Sequence, residues 1–180
     1  MTHDEAVAFL TLAGPWRGRW ADVGAGSGTF TRAMAELIGA EGVVYAIDSD
    51  DRAVVSLRAV AARGDTGAAR VVAVRGDMRD LSAIDELCDV ALDGVLFANV
   101  LHFTRKPEDV LVSASRLLQE GGRIVVIEYD RRMPNPWVPH PLPFDRLVEV
   151  AGKARLGMPV EVGRRASAYH REMYCAVLAR

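Results

Sequence analysis

The segment Ala21-Asp22-Val23-Gly24-Ala25-Gly26-Ser27-Gly28-Thr29-Phe30 carries the densest chemical signal in this 180-residue chain. Glycines at alternate positions let the main chain turn sharply and let a ligand lie against bare backbone. A turn that leaves a strand and enters a helix presents amide groups that favour a carboxylate or a phosphate. The spacing narrows the choice. A dinucleotide fingerprint is G-x-G-x-x-G followed by an acid about 20 residues on, and here Thr29 stands where its third glycine would fall. NAD or FAD binding is therefore mismatched. A phosphate-binding P-loop is excluded, because no Gly-Lys-Ser/Thr follows. The plain alternative is a tight strand-to-helix turn without a ligand.

Such a loop needs a strand before it and a helix after it, and the pattern supplies both. Short apolar runs at Trp20–Val23, Val43–Ile47, Arg70–Val74, Gly94–Ala98 and Arg123–Ile127 suit parallel strands, several of them buried on both faces. Helical stripes lie between them: Phe30, Ala33, Met34, Leu37 and Ile38, stopped by Gly39; Ala53, Val54, Leu57, Val60 and Ala61; Val110, Leu111, Ala114, Leu117 and Leu118. Pro107 opens the last of these and Gly121-Gly122 closes it. A weaker segment around Leu81–Leu87 suggests a short helix. This alternation predicts an open parallel sheet with helices on both faces. Asp4–Leu12 reads as a lead-in helix. Residues 134–143 hold five prolines, too many for a helix or a central strand. An amphipathic helix from Phe144 to Ala151 follows, then strand-like runs near Val160–Val162 and Tyr174–Leu178. Nothing divides residues 1–180 into two domains.

The composition fits a globular protein: 50% apolar and 26% charged residues, with a net charge of −2. That balance argues against a protein that grips nucleic acid through phosphates. Residues 1–130 hold 13 basic and 20 acidic side chains, whereas residues 131–180 hold 9 and 4. The basic C-terminal part is either an uneven solvated surface or a region that meets an anionic partner. Cys88 and Cys175 fit no metal spacing, and reduced cysteines together with the lack of a leader-like N-terminus point to a cytoplasmic protein. No stretch approaches the ~20 apolar residues of a membrane span.

Taken together, these residues resemble the class I S-adenosylmethionine-dependent methyltransferases, in their small single-domain form. The resemblance covers residues 19–128 strongly and the C-terminal strands weakly. Asp22 with Gly24, Gly26 and Gly28 matches the family's first motif, an acid, one residue, then G-x-G-x-G. Asp48 matches the acid ending the second strand. Asp77 in Arg75-Gly76-Asp77-Met78 matches the acid after the third. Asp93–Phe103 reads like the fourth strand and its loop, and Glu120-Gly121-Gly122-Arg123 like the turn before the fifth. The resemblance implies an α/β fold: a Rossmann-like, doubly wound, seven-stranded, mostly parallel sheet with the last strand antiparallel and three helices on each face. It implies S-adenosyl-L-methionine as cofactor, on Asp22, Gly24, Ala25, Gly26, Ser27, Gly28, Asp48, Ser49, Asp77, Met78 and Asn99. Asp48 would take the ribose diol, Asp77 and Met78 the adenine, and Asn99 would mark the place of the methionine amino group. Asp22 would order the glycine loop. The simpler roles stay open: a helix cap at Asp48, a turn residue at Asp77, a loop-capping amide at Asn99.

The activity implied is methyl transfer, an in-line displacement that needs mostly alignment and a deprotonated acceptor. His102, just past the fourth strand, is the candidate general base; the alternative is a packing role. A small-molecule acceptor is expected on the variable elements, namely the N-terminal helix with Trp16 and the loop bearing Tyr129, Arg132, Trp137 and His140. Both elements are short, so the site is either open to a large acceptor or covered by a second subunit in a homodimer. The loop Asn99-Val100-Leu101-His102 lacks the Pro-Pro-aromatic signature of nucleic-acid amino-methyltransferases, and no acid and histidine cluster suggests a metal. Two other readings remain: a non-catalytic S-adenosylmethionine-binding or adaptor protein, and an NAD(P)-dependent reductase, which a missing Tyr-x-x-x-Lys pair disfavours.

Overall fold

A computed structural model describes residues 1–167 and 171–180. In chain order the regular elements are α1 (His3–Thr11), β1 (Arg19–Val23), α2 (Thr29–Ile38), β2 (Val43–Asp48), α3 (Asp51–Arg63), β3 (Arg70–Arg75), β4 (Leu92–Ala98), α4 (Pro107–Leu117), β5 (Leu118–Tyr129), α5 (Phe144–Lys153), β6 (Val160–Ser167) and β7 (Arg171–Ala179). The strands form one sheet in the order β3-β2-β1-β4-β5-β7-β6. β1 to β5 are mutually parallel, and β7 runs antiparallel to both β5 and β6. The doubly wound sheet with an antiparallel last strand is thus present as expected.

Strand alternation divides the core between the two faces. Trp20, Val44, Leu96 and Val125 meet α1 and α2 through Phe9, Leu10 and Met34. Their neighbours Ala21, Val95, Phe97 and Val126 point the other way, onto α4 and α5 through Val110, Leu111, Leu147 and Val150. α3 joins the first face through Leu57, which packs on Ala25 and Ala46. α1 begins with a reciprocal cap: Thr2 Oγ1 accepts from the Glu5 amide at 3.2 Å, and Glu5 Oε2 accepts from the Thr2 amide at 2.7 Å.

Two expectations are modified. The segment between β3 and β4 forms 3-10 turns at Met78–Ala83 and Asp85–Leu87, so among the described residues one face carries three α-helices and the other two. The cause is local. Asp77 accepts from the Arg79 amide at 2.9 Å, and Asp80 sits at φ −142, ψ 64, outside the helical region. Short acidic side chains that bond nearby backbone compete with helix propagation. The Gly121-Gly122 pair does not simply end α4. It lies inside β5, where pairing shifts between Leu92↔Leu118 and Gly94↔Arg123. Gly121 has φ +75 there, a bulge geometry that suits glycine.

Candidate active site

The sheet order reverses at β1, whose neighbours are β2 and β4, and a crevice opens at the carboxyl ends of these strands, as open α/β sheets require. It has two lobes that share Gly24, Gly26 and Asn99. The first, about 520 Å³, is lined by Asp22, Ala25, Ser27, Thr29, Phe30, Tyr129 and residues of α1 and β6. The second, about 620 Å³, is lined by Asp48, Ser49, Asp77, Met78, Arg79 and Phe103.

The glycine loop differs in detail from the anion cradle that its sequence suggests. The Gly24 and Ala25 amides donate to the Ile47 carbonyl at 2.8 and 3.0 Å, and Gly28 donates to Ala25 at 2.9 Å. The Gly26 amide donates to Asp48 Oδ2 at 2.8 Å. These amides are committed to the protein itself, so shape is the main requirement on the glycines. Gly24 has φ +76, and a Cβ on it would come within 2.3 Å of Val100 Cγ2. Gly26 has φ +56, and a Cβ there would meet nothing within 4 Å, which keeps its backbone face open between the lobes. Gly28 departs from its expected role as a cofactor contact. Its Cβ would meet Leu57 and Val60 at 3.2 Å, so it brings α3 close rather than lining the crevice.

Asp48 is placed by its neighbours. Besides bracing Gly26, it accepts from the Asp50 amide through Oδ1 at 2.9 Å, while Asp50 caps α3 in its stead. Each carboxylate oxygen keeps a second lone pair for a ligand hydroxyl. Asp77 is held by Arg79, whose Nε donates to Oδ1 at 2.9 Å and to Oδ2 at 3.0 Å. The Arg79 guanidinium beside it holds the Asp77 carboxyl below the usual carboxylate range. Sequence reasoning missed Arg79; only the pairing across two residues discloses it.

Asp22 is 1% exposed and accepts the Thr31 hydroxyl at 2.6 Å. Burial pushes its carboxyl up to about 7, against the Thr31 hydrogen bond and with help from the Asp48 charge. Asn99 takes a left-handed backbone, φ +56, with its amide bonded to the Ile127 carbonyl at 2.8 Å. Its side-chain oxygen is buried without a hydrogen-bond partner. An unpaired buried acceptor is costly, and this one sits among residues common to both lobes.

His102 is buried and does not line either lobe. Its Nδ1 lies 2.8 Å from Glu128 Oε2, and its amide donates to Glu128 Oε1 at 3.2 Å. The ring packs on Phe103 and Tyr129, with centroids 4.3 and 5.9 Å away, and these two residues line the second and first lobes. Glu128 had no sequence signal beyond its place in the fifth strand.

Of the residues expected on the acceptor side, only Tyr129 reaches the crevice. Arg132 pairs with Asp145 at 2.5 Å. Trp137 is 71% exposed in a turn closed by Asn135 and Val138. The His140 amide donates to the His102 carbonyl at 3.0 Å. The proline-rich loop leaves β5 toward the α4–α5 face, where Val138 and Leu142 are buried and Tyr174 Oη donates to the Leu142 carbonyl at 2.8 Å. Trp16 is buried as well: it donates to the Leu10 carbonyl at 2.8 Å and packs on Trp20. The first lobe is walled instead by Met1 and Glu5 with Arg165, Ala166 and Met173. The N-terminal helix was expected here; the share of β6 and β7 had no sequence signal, because β6 reaches α1 only through the antiparallel end of the sheet.

Among the described residues no group of three or more His, Cys, Asp or Glu could hold a metal ion, and no helix is long and apolar enough to cross a membrane. Residues 21–126 match the family model described as "Methyltransferase domain". A ubiquinone/menaquinone biosynthesis C-methyltransferase, UbiE, from Azotobacter vinelandii is 34% identical over 124 residues, 68% of this chain and 47% of that protein. An arsenite methyltransferase from Aquipseudomonas alcaligenes is 31% identical over 116 residues, 62% of this chain and 33% of that protein. The chain therefore spans half or less of the length of these curated relatives. An arsenic(III) S-adenosylmethionine methyltransferase from Chlamydomonas reinhardtii superposes with a TM-score of 0.73 at 22% identity, covering 89% of this chain and 62% of that one. Magnesium protoporphyrin IX methyltransferase from Synechocystis PCC 6803, solved with bound S-adenosylmethionine, gives 0.66 at 15% identity over 99% and 77%.

Proposed function

The chain belongs to the methyltransferase-domain family, whose cofactor is S-adenosylmethionine, and on that premise we propose that it passes the cofactor's methyl group to a small-molecule acceptor. The observation that carries this reading is the orphaned Asn99 oxygen in a lobe that Asp22 also lines, acceptors suited to an ammonium, in a crevice whose other lobe offers the Asp48 carboxylate. The residues fit the cofactor in charge and in hydrogen-bonding sense. Asp48, already braced by two amides, would take the ribose hydroxyls. Asp77, Met78 and Arg79 would hold the adenine. Asn99 and Asp22 would take the amino group. When bound, the cofactor supplies a methyl carbon made electrophilic by its sulfonium. The chain's own part is to align and to exclude water. Gly24, seated against Val100, fixes the loop, and the Phe103 and Tyr129 rings wall the two lobes.

His102 acts here as a positioning residue. Glu128 fixes its ring, and the ring supports Phe103 and Tyr129 from behind. The curated relatives act, by their names, on a ubiquinone or menaquinone precursor and on arsenite. Arsenite is thiophilic and prefers soft thiolate ligands. Cys175 is buried with its thiol pushed up to about 12 by burial, and Cys88 is not among the residues lining either lobe. An organic acceptor with an activated carbon or oxygen therefore suits this site better than arsenic.

The test is a thermal-shift titration with S-adenosylhomocysteine and, in parallel, with NAD, followed by turnover on a panel of phenolic and quinol acceptors. S-adenosylhomocysteine is expected to raise the Tm, because it binds only the folded state, and NAD is not. Substituting His102→Gln is expected to lower turnover without changing the shape of its pH profile. A shift with NAD alone would refute the assignment. A lost acidic limb in His102→Gln would make the histidine the base.

A further inference from the structure

The first lobe contains an ion pair that the catalytic reading does not use. Arg165 of β6 reaches across to α1, where Nη2 lies 2.8 Å from Glu5 Oε1 and Nη1 donates to the Glu5 carbonyl at 3.3 Å. Both residues line this lobe. Among the described lining residues Arg165 is the one Lys or Arg side chain, and its side chain is 26% exposed against 44% for Glu5. The same lobe is lined by Asp22 and by Asn99, whose side-chain oxygen has no hydrogen-bond partner.

A lobe lined both by acceptors and by a guanidinium matches a zwitterionic α-amino acid, ammonium to the former and carboxylate to the latter. Arginine offers a fork that suits a carboxylate bidentately. In the free protein Glu5 already engages that fork, its carboxylate on Nη2 and its main-chain carbonyl on Nη1, and stands in for the ligand. Glu5 has a second task available on release, since Oε2 caps the start of α1 at the Thr2 amide. Leaving Arg165 therefore does not strand it.

We propose that Arg165 is the carboxylate receptor for the amino-acid end of the cofactor, and that Glu5 competes with that carboxylate for it. This inference rests on the cofactor reading above. The adenosine lobe lies on the far side of the shared Gly24, Gly26 and Asn99, so the amino-acid end enters the lobe where Arg165 stands. A carboxylate on the methyl acceptor has the same chemistry, and the test separates the two sources.

Binding is measured by calorimetry for three probes: S-adenosylhomocysteine, its decarboxylated analogue that keeps the amine, and 5′-methylthioadenosine, which lacks the amino-acid end. In the wild type, S-adenosylhomocysteine is expected to bind more tightly than the decarboxylated analogue. In Arg165→Gln its affinity should fall by roughly 10- to 100-fold, the scale of a hydrogen bond to a charged group. The other two probes should change less than about twofold, so that the preference for the carboxylate disappears. Arg165→Lys should keep part of it. Glu5→Gln should tighten S-adenosylhomocysteine and leave methylthioadenosine unchanged. If Arg165→Gln weakens all three probes equally, or none, the proposal is wrong. Unchanged cofactor binding with a raised KM for a carboxylated acceptor would move the receptor to the acceptor. Failure of the wild type to bind any probe would overturn the cofactor reading itself, and this inference with it.

Discussion

Replacing Asp22 by asparagine turns the buried carboxylate of the glycine-loop motif into a pH experiment. Asp22 is shifted from 3.8 to about 7 in the folded protein, mainly by burial. The folded state therefore holds a proton that the unfolded chain releases above pH ~4. Where the native state binds more protons, stability falls as the pH rises. The fall starts near the unfolded value, is complete just above about 7, and totals ~4 kcal/mol at about 1.36 kcal/mol per unit. Roughly 2.5 kcal/mol of it lies between pH ~5 and pH ~8. Asparagine keeps the size of the side chain and an oxygen for the Thr31 hydroxyl but carries no charge. Urea unfolding at several pH values should show the Asp22→Asn variant gaining on the wild type across that interval. An ammonium near Asp22 favours the ionised carboxylate, so S-adenosylhomocysteine affinity should rise with pH up to about 7 in the wild type and stay flat in the variant. Parallel stability curves for the two proteins would refute a strongly raised Asp22.

Three further substitutions separate bracing from binding. Asp48→Ala removes the acceptor of the Gly26 and Asp50 amides, so it should abolish the S-adenosylhomocysteine shift and also cost about 2 kcal/mol in the free protein; an unaltered urea midpoint would show that the brace is dispensable. Gly24→Ala forces a Cβ against Val100 at a positive φ, whereas Gly26→Ala meets open space. Denaturation should rank the first as the more destabilising by ~1–3 kcal/mol, while titration should find ligand binding impaired in both. Equal stability losses would contradict the close approach of Val100.

Alternation of apolar runs and helical stripes was enough to read β1 to β5 in order, because each strand buried on both faces must be apolar throughout and each helix only along one stripe. The acids at the strand ends were equally legible. Asp22, Asp48 and Asp77 sit where a strand gives way to a loop, and that position is local in sequence. What stayed hidden depends on contacts between distant segments. The Glu128 carboxylate meets His102 across 26 residues and Arg165 meets Glu5 across 160, and no periodicity records such pairs. The proline-rich loop looked like the acceptor wall from composition alone, yet Leu142 and Tyr174 draw it to the α4–α5 face. The glycine amides looked free for an anion, but Ile47 and Asp48 take them once β2 lies beside β1. Residue type and spacing determined which groups have chemistry to offer; the antiparallel closure of β6 and β7 brought Arg165 and Met173 to the crevice, because only packing decides which sheet edge a late strand adopts.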